Sequence, residues 1–532
     1  IVLGSARTAD VVAIDTVETL CVDGKAFVAI LDRNPLVQRQ ILQALVVDGV
    51  EVAVPTLTRP AGRLVVFVGG AEQGLGSTTV AYGLAHALTR AVPVAGDPGL
   101  PVEMLDLEGE ETARELRLEW REGEFEGLPV RRLVAPSDWT FGVTWPARAG
   151  DAGALVRAAR AKGQGALIVT GRLRDASARA ALDNAGMAVF VRKAGEHPVD
   201  VATGREQVHF QAVRVAEGVP LPLQTAIRAV RIPTDEEAVT EFRRHKTLDA
   251  VGGRLTGLGR ACERLARVLR GRSVGVALGG GGAFGFAHVG LLRVLEQNGL
   301  PIDYVAGVSF GSVVGAVYCG GGMRAVEELV ARRYSLLAAC LAAFASTKPI
   351  RWFINSLVPG RLETTEVPFY PVGMDLNGRT EYVLPAGDLG LGVLAASSLP
   401  GLWPTLELPG LRVIDGGLIN NVPASTLWTA GADFIISSNI VPSNPAPGWM
   451  RHVTGRIVDA MQGVYNVLAQ VGKDRSLLAD YPFNSEVEGY DVFQFDKGDR
   501  IAACAEAQAR TSWSDIATAY RTDRSARLVH PA

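Results

Sequence analysis

Cysteine, histidine and net charge are all scarce in this chain, and long apolar runs are missing. Five cysteines (Cys21, Cys262, Cys319, Cys340 and Cys504) are scattered over 532 residues without a CxxC spacing. That pattern argues against a disulfide framework or a zinc site and points to a reducing compartment. No ligand cluster is visible, so neither a metal nor another cofactor is expected. The net charge of -3 supplies no basic field for a nucleic acid. No secretory leader is expected from the residues given, and no apolar run among them reaches the ~18 residues of a spanning helix. Cytoplasmic residence is therefore expected, with peripheral contact at the inner membrane. The chain opens at Ile1 rather than Met, in the middle of a pattern, and an N-terminally incomplete sequence is expected.

What is present is apolar bulk and glycine. Hydrophobic residues make up 48% of the chain, enough for several cores, and the 60 glycines are spread rather than gathered into linkers. The length favours about three or four domains. Residues 1–50 read as strand, strand, helix. Residues 51–236 alternate apolar strands (Leu64–Val68, Ala166–Thr170, Met187–Val191) with helical stretches such as Val80–Leu88. That is doubly wound α/β logic. A charged connector helix is expected over 237–271, followed by a last α/β domain over 272–532. Ser335–Ser346 is apolar but too short to span a bilayer. It reads as a buried helix or an interfacial one, with Arg351-Trp352-Phe353-Ile354 adding aromatics beside a cation.

Chemistry concentrates in the last domain. Strand Val274–Leu278 runs into the glycine loop Gly279–Gly285, and a helix follows over Phe286–Leu295. The next strand, Ile302–Ala306, enters Gly307-Val308-Ser309-Phe310-Gly311, with a helix predicted over Ser312–Cys319. Gly307 and Gly311 permit a sharp strand-to-helix turn that lifts Ser309 to a helix N-terminus, and Gly285 closes the preceding loop. Further on, Val413-Ile414-Asp415-Gly416-Gly417 sets an aspartate at a strand end. Its glycines leave the carboxylate unobstructed, so Asp415 is a candidate general base for Ser309 with no histidine between them. Of the histidines, only His288 lies among these motifs, and it reads as a loop brace inside a buried helix. Gly280-x-Gly282-x-x-Gly285 also fits a dinucleotide fingerprint. Asp303, the acid that reading would need, precedes its strand instead of ending it.

At these residues the chain resembles the patatin-like phospholipase family, in its neuropathy target esterase-like bacterial branch. The matching stretches are GGGGAFG, GVSFG, Ala395-Ala-Ser-Ser-Leu-Pro-Gly-Leu-Trp-Pro404 and IDGGLINNVP at 414–423. The resemblance implies a three-layer α/β/α hydrolase domain that cleaves fatty-acyl esters of phospholipids or lysophospholipids at a membrane surface. Carried over, Ser309 is the nucleophile, Asp415 the base, and Gly280, Gly281 and Gly282 form the oxyanion hole. Phe284 stands where the family usually has a basic residue, which bears on rate and headgroup preference. Residues 1–50 resemble the end of a cyclic-nucleotide-binding domain, with Arg7 at the phosphate-holding position. Without the first half of that barrel no pocket closes, so cyclic-nucleotide binding is not expected. Gly69–Thr79 resembles the phosphate loop of partition-type ATPases, with Gly96-Asp97-Pro98 as their acidic turn. Here Ser77 replaces the phosphate lysine and Glu72 the family's extra one, so a degenerate P-loop-like scaffold is expected. Two such departures keep open an alternative, a lipid-sensing or scaffolding protein with a weak or inactive site. A third reading is a nucleotide-regulated switch through the middle domain.

Overall fold

The computed structural model describes residues 63–522, apart from 71–75, 91, 93, 95, 97, 162–163, 197–207, 221–227, 254–255, 401–402, 442–455 and 488. The cyclic-nucleotide-like piece at 1–50 with Arg7, and Glu72 and Asp97 of the middle segment, lie outside these residues.

The described chain is built on two mainly parallel sheets. The first holds nine described strands: β1 Leu64–Gly70, β2 Val102–Asp106, β3 Trp120–Phe125, β4 Leu128–Leu133, β5 Gly142–Pro146, β6 Ala166–Thr170, β7 Met187–Lys193, β8 Val208–Arg214 and β9 Arg228–Ile232. Their order is β3-β4-β5-β2-β6-β1-β7-β8-β9, with β3 and β4 forming an antiparallel edge. The central strands β1, β6 and β7 are almost wholly apolar and buried, as parallel strands covered on both faces must be. Helix Ser77–Thr89 is the next described element after β1, and its N-cap Gly76 adopts a left-handed φ of 80°.

The segment expected as one connector helix is three helices, Glu236–His245, Asp249–Gly252 and Gly257–Leu269. Lys246 breaks the first by turning left-handed at φ 59°, and Thr256 caps the third through its hydroxyl. These helices tie the first sheet to the second. Gly83 of helix Ser77–Thr89 lies so close under the Val251 carbonyl that a Cβ there would stand 2.3 Å from it. Polar bonds complete the join: Arg228 pairs with Asp433 at 2.8 Å, and Arg231 donates to the Leu362 carbonyl at 2.6 Å.

The second sheet runs β14-β15-β12-β11-β10-β16-β17, from β10 Val274–Leu278, β11 Tyr304–Gly307, β12 Phe369–Asp375, β13 Thr380–Val383, β14 Leu406–Leu408, β15 Leu411–Asp415, β16 Phe434–Asn439 and β17 Tyr481–Asn484, with β13 paired to β12. β10 sits centrally, parallel to β11 and β16. The carboxyl ends of β10 and β11 therefore open side by side, where ligand sites gather in such sheets. β15 runs antiparallel to β12 with Asp415 opposite Gly373, which returns its carboxyl end to the same edge. Helices Ala287–Gln297 and Phe310–Ala331 cover the sheet, and Gly498–Arg521 packs on the first of them. Asp303 is no ribose ligand. It is buried at the opposite end of the sheet, where it receives Arg267 at 2.6 Å and the Val274 amide at 3.0 Å.

The helix expected over Ser312–Cys319 runs from Phe310 to a non-helical kink at Gly322 (φ 64°, ψ -167°), and a second helical stretch continues beyond it to Ala331. The apolar segment that follows is a surface helix, Arg333–Ala342, succeeded by Lys348–Leu357. Leu336, Ala339 and Ile350 face the core, whereas Tyr334 (58% exposed), Leu341 (61%), Phe344 (56%) and Trp352 (70%) face outward. No helix among the described residues is long and apolar enough to cross a membrane.

Candidate active site

Ser309 sits on a strained turn. Its φ of 49° and ψ of -125° lie where a non-glycine residue is held only by its surroundings. β11 and helix Phe310–Ala331 impose that turn from either side. The Ser309 amide donates to the Ala396 carbonyl at 2.8 Å, and the Ser312 hydroxyl returns to the Ser309 carbonyl at 2.6 Å. The hydroxyl is thereby lifted off the helix end.

Asp415 ends β15 and is buried. Its amide donates to the Ser398 carbonyl at 3.0 Å, and its Oδ1 accepts the Gly417 amide at 2.8 Å. The stretch Ala396–Ser398 thus anchors the backbone of both residues, one carbonyl for each. Burial pushes the Asp415 carboxyl up to about 6, while the Gly417 amide and the Ser309 hydroxyl pull in the opposite direction. The hydroxyl is close enough to favour the ionised form, yet among the described residues Oδ2 has no hydrogen-bond partner. Catalytic hydrogen bonds are often long or open before substrate arrives, so this spacing is compatible with a proton-transfer pair.

The glycine loop follows β10 and lies directly on this pair. A Cβ on Gly280 would stand 2.9 Å from the Ser309 Cβ and 2.6 Å from Asn421 Oδ1, so only glycine fits. Gly282 takes a left-handed φ of 57°, and Gly285 lies against the Phe310 ring. Rings of Phe286, Phe310 and Phe495 then bind loop to elbow, with centroids 5.0 to 6.3 Å apart. Gly307 and Gly311 face each other inside the turn, and Gly416 lies on the Val372 carbonyl.

One expected role changes. The Gly280 amide is taken by the Asn421 carbonyl at 3.1 Å, so it has no hydrogen to offer an incoming oxyanion. The Gly279 amide is likewise taken by Ser438 and that of Ala283 by Val492. Among the described residues no acceptor takes the amides of Gly281 and Gly282, which leaves these two as the loop's open donors.

His288 braces the start of the loop. Its Nε2 lies 2.8 Å from the Gly279 carbonyl and its Nδ1 2.8 Å from Ser438 Oγ. A carbonyl can only accept, so Nε2 carries the hydrogen and the Ser438 hydroxyl donates to Nδ1. Burial pushes the imidazole down to about 4, which keeps it neutral in this role. Phe284 is buried in the core beside it, so the backbone donors do not depend on a side chain there. Asn421 escaped the sequence reading. Its only signal was its place in the run after Asp415, where an amide reads as well for a helix cap.

The arrangement offers a hydroxyl on a strained turn, a facing carboxyl whose pKa is raised above its usual range, and two backbone donors that no described acceptor takes. Among the described residues, no group of three or more acidic, histidine or cysteine side chains is placed to hold a metal.

Comparison with known proteins agrees with the geometry. Residues 276–428 match the patatin-like phospholipase family model. The neuropathy target esterase sws of Drosophila melanogaster is 32% identical over 194 residues, 34% of this chain and 14% of that protein. Lysophospholipase NTE1 of Mycosarcoma maydis is 32% identical over 189 residues, 33% of this chain and 10% of its own length. Human patatin-like phospholipase domain-containing protein 6 is 32% identical over 192 residues, 34% and 14% respectively. The match therefore spans about a seventh or less of each of these relatives. One solved structure, a ParA family ATPase from Chlorobium tepidum TLS, covers 38% of this chain and 98% of its own at 13% identity, with a TM-score of 0.27.

Proposed function

We propose that the patatin-like phospholipase domain to which residues 276–428 belong is a serine acyl hydrolase that cleaves fatty-acyl esters of phospholipids or lysophospholipids. The observation that carries this reading is the facing of Ser309 and the unpartnered Asp415 Oδ2 beneath a glycine loop with two open amides. Ser309 Oγ attacks the ester carbonyl and its proton passes to Asp415. The carbonyl oxygen gains negative charge and receives the Gly281 and Gly282 amides. Collapse of the tetrahedral species expels the glycerol-side alkoxide, which takes the proton from Asp415. Water then gives its proton to Asp415 and attacks the acyl-serine, releasing the fatty acid and restoring Ser309.

A fluorophosphonate probe tests the nucleophile. We expect stoichiometric labelling of the intact protein and none of Ser309→Ala; a labelled Ser309→Ala protein would contradict the assignment. The alternative, a lipid sensor with an inactive site, drew on Phe284 and Ser77. It predicts no turnover of lysophosphatidylcholine.

Substrate arrives in this reading from a bilayer or micelle. Tyr334, Leu341, Phe344 and Trp352 present aromatic and aliphatic surface beside Arg333 and Lys348, the composition of an interfacial segment. Helix Lys348–Leu357 bonds through Asn355 to Gly390, at the start of the helix whose Ala396 holds Ser309. Trp352→Glu should weaken co-sedimentation with phosphatidylcholine vesicles about tenfold or more, since burying one aromatic ring is worth ~1.5–3 kcal/mol. Hydrolysis of a water-soluble ester should be unchanged. Equal vesicle binding by the variant would remove this surface from the account.

A further inference from the structure

We infer that Asn421 is a positioning residue that aims the Gly281 amide at the reacting carbonyl oxygen, an inference that rests on the hydrolase reading. Asn421 is wholly buried and grips Gly280 at both ends of that residue. Its main-chain carbonyl accepts the Gly280 amide at 3.1 Å, and its Nδ2 donates to the Gly280 carbonyl at 3.3 Å. The same Nδ2 donates to the Leu468 carbonyl at 3.1 Å, which ties the grip to the long helix Arg456–Ser476.

The consequence follows from peptide planarity. The Gly280 carbonyl and the Gly281 amide belong to one rigid unit and point in opposite directions. Fixing the carbonyl toward Asn421 therefore turns the Gly281 N–H away from it and leaves it free of protein partners. Glycines on either side would otherwise let this unit rotate at small cost, so a glycine loop needs an outside restraint to be a preorganised donor. Asn421 supplies it from the chain segment that also carries Asp415, six residues earlier in sequence. The glycine loop and the base's loop are thus held in one register.

The amide oxygen identifies what the side chain is for. Asn421 Oδ1 is buried without a partner, a cost a purely structural asparagine would shed by packing an apolar residue. What the position requires is a donor toward Gly280, and asparagine provides that donor without bringing a charge beside Asp415. Asn421 Oδ1 and Asp415 Oδ1 both stand close to Gly417, 2.8 and 3.0 Å from where its Cβ would be, so a carboxylate here would act directly on the base.

Asn421→Ala and Asn421→Leu test the assignment; the second keeps a similar side-chain volume, loses the donor and brings no charge beside Asp415. We expect each to lower kcat about 10²-fold, the loss that follows an ångström-scale misplacement in a site, with KM within about threefold. Affinity for an alkyl trifluoromethyl ketone, whose serine adduct carries an oxyanion, should fall in parallel with kcat. Affinity for dodecylphosphocholine, which forms no adduct, should not change. A kcat within threefold of the parent in a folded variant overturns the proposal. So does an equal loss of ketone and detergent binding, which marks general collapse of the site. Should the alanine variant melt below the assay temperature, the leucine variant decides. Ser309→Ala, assayed alongside, separates the two readings: full turnover there would remove the hydrolase itself.

Discussion

Asp415→Asn should give a protein that melts higher at neutral and alkaline pH and turns over no phospholipid ester. Both halves follow from one carboxylate. Its burial raises the pKa to about 6 from an ordinary 3.8, so the folded state binds a proton that the unfolded state has released. Stability contributed by this group is therefore full below about pH 4 and is lost as pH rises through about 6. At pH 8 the ionised side chain costs on the order of 3 kcal/mol, at ~1.4 kcal/mol per pKa unit. Asparagine keeps the Oδ1 that accepts the Gly417 amide and escapes the titration. Above pH 6 we expect a gain of about 1–2 kcal/mol, seen as a rise of a few degrees in Tm, and below pH 4 none. Activity moves the opposite way. The amide cannot accept the Ser309 proton, and kcat should fall about 10³-fold or more. In the parent protein kcat/KM should climb with pH through about 6, as the base ionises, and then level off. A variant that kept a tenth of the activity, or a pH profile flat between 5 and 7, would assign the base elsewhere.

That trade also shows which features were legible in the sequence. The loop, the elbow and the Asp-Gly-Gly turn were readable because each demands glycine at places where backbone meets backbone, and glycine is visible in a sequence. The strands β1, β6, β7 and β10 were equally plain, since parallel strands buried on both faces are near-continuous apolar runs. Partnerships across long separations were not. Nothing in GGGG says that the Gly280 amide is spent on a carbonyl 141 residues away, or that its own carbonyl is taken by the same asparagine. Local signals also misled where the fold overruled them. The helix predicted to end at Cys319 reaches the kink at Gly322, and the helical stretch beyond that kink went unread. The charged 237–271 stretch looked like one helix, whereas the first helix ends in a left-handed turn at Lys246 and the third begins at the Thr256 hydroxyl cap. For Arg333–Ala342, apolar composition could not say which residues would face outward.

Gly311→Ala should be among the most damaging single methyl groups at the site. The new Cβ would stand 2.2 Å from the Leu278 carbonyl oxygen and 2.6 Å from that of Gly279. Both are main-chain atoms, so neither can rotate aside as a side chain would. The Leu278 oxygen already accepts the Val308 amide at 3.1 Å, which fixes the elbow to the end of β10. Leu278 also lies in register with Gly307 across the parallel pair. The methyl group can be accommodated only by parting the elbow from the loop, and that separates Ser309 from the Gly281 and Gly282 donors. We expect a loss of about 3 kcal/mol or more, at the upper end for overpacking, because two strand ends must shift together. Losing the donors' alignment should lower kcat a further 10²- to 10³-fold or so. Gly299→Ala is the matched control. It adds the same methyl group at a left-handed φ of 71°, with nothing within 4 Å of the new Cβ, and should cost only about 1 kcal/mol while leaving turnover intact. Urea midpoints and initial rates for the two variants give the comparison directly. If Gly311→Ala tracked Gly299→Ala in both, the elbow would not be locked to the loop through its backbone, and the oxyanion donors would owe their position to other contacts.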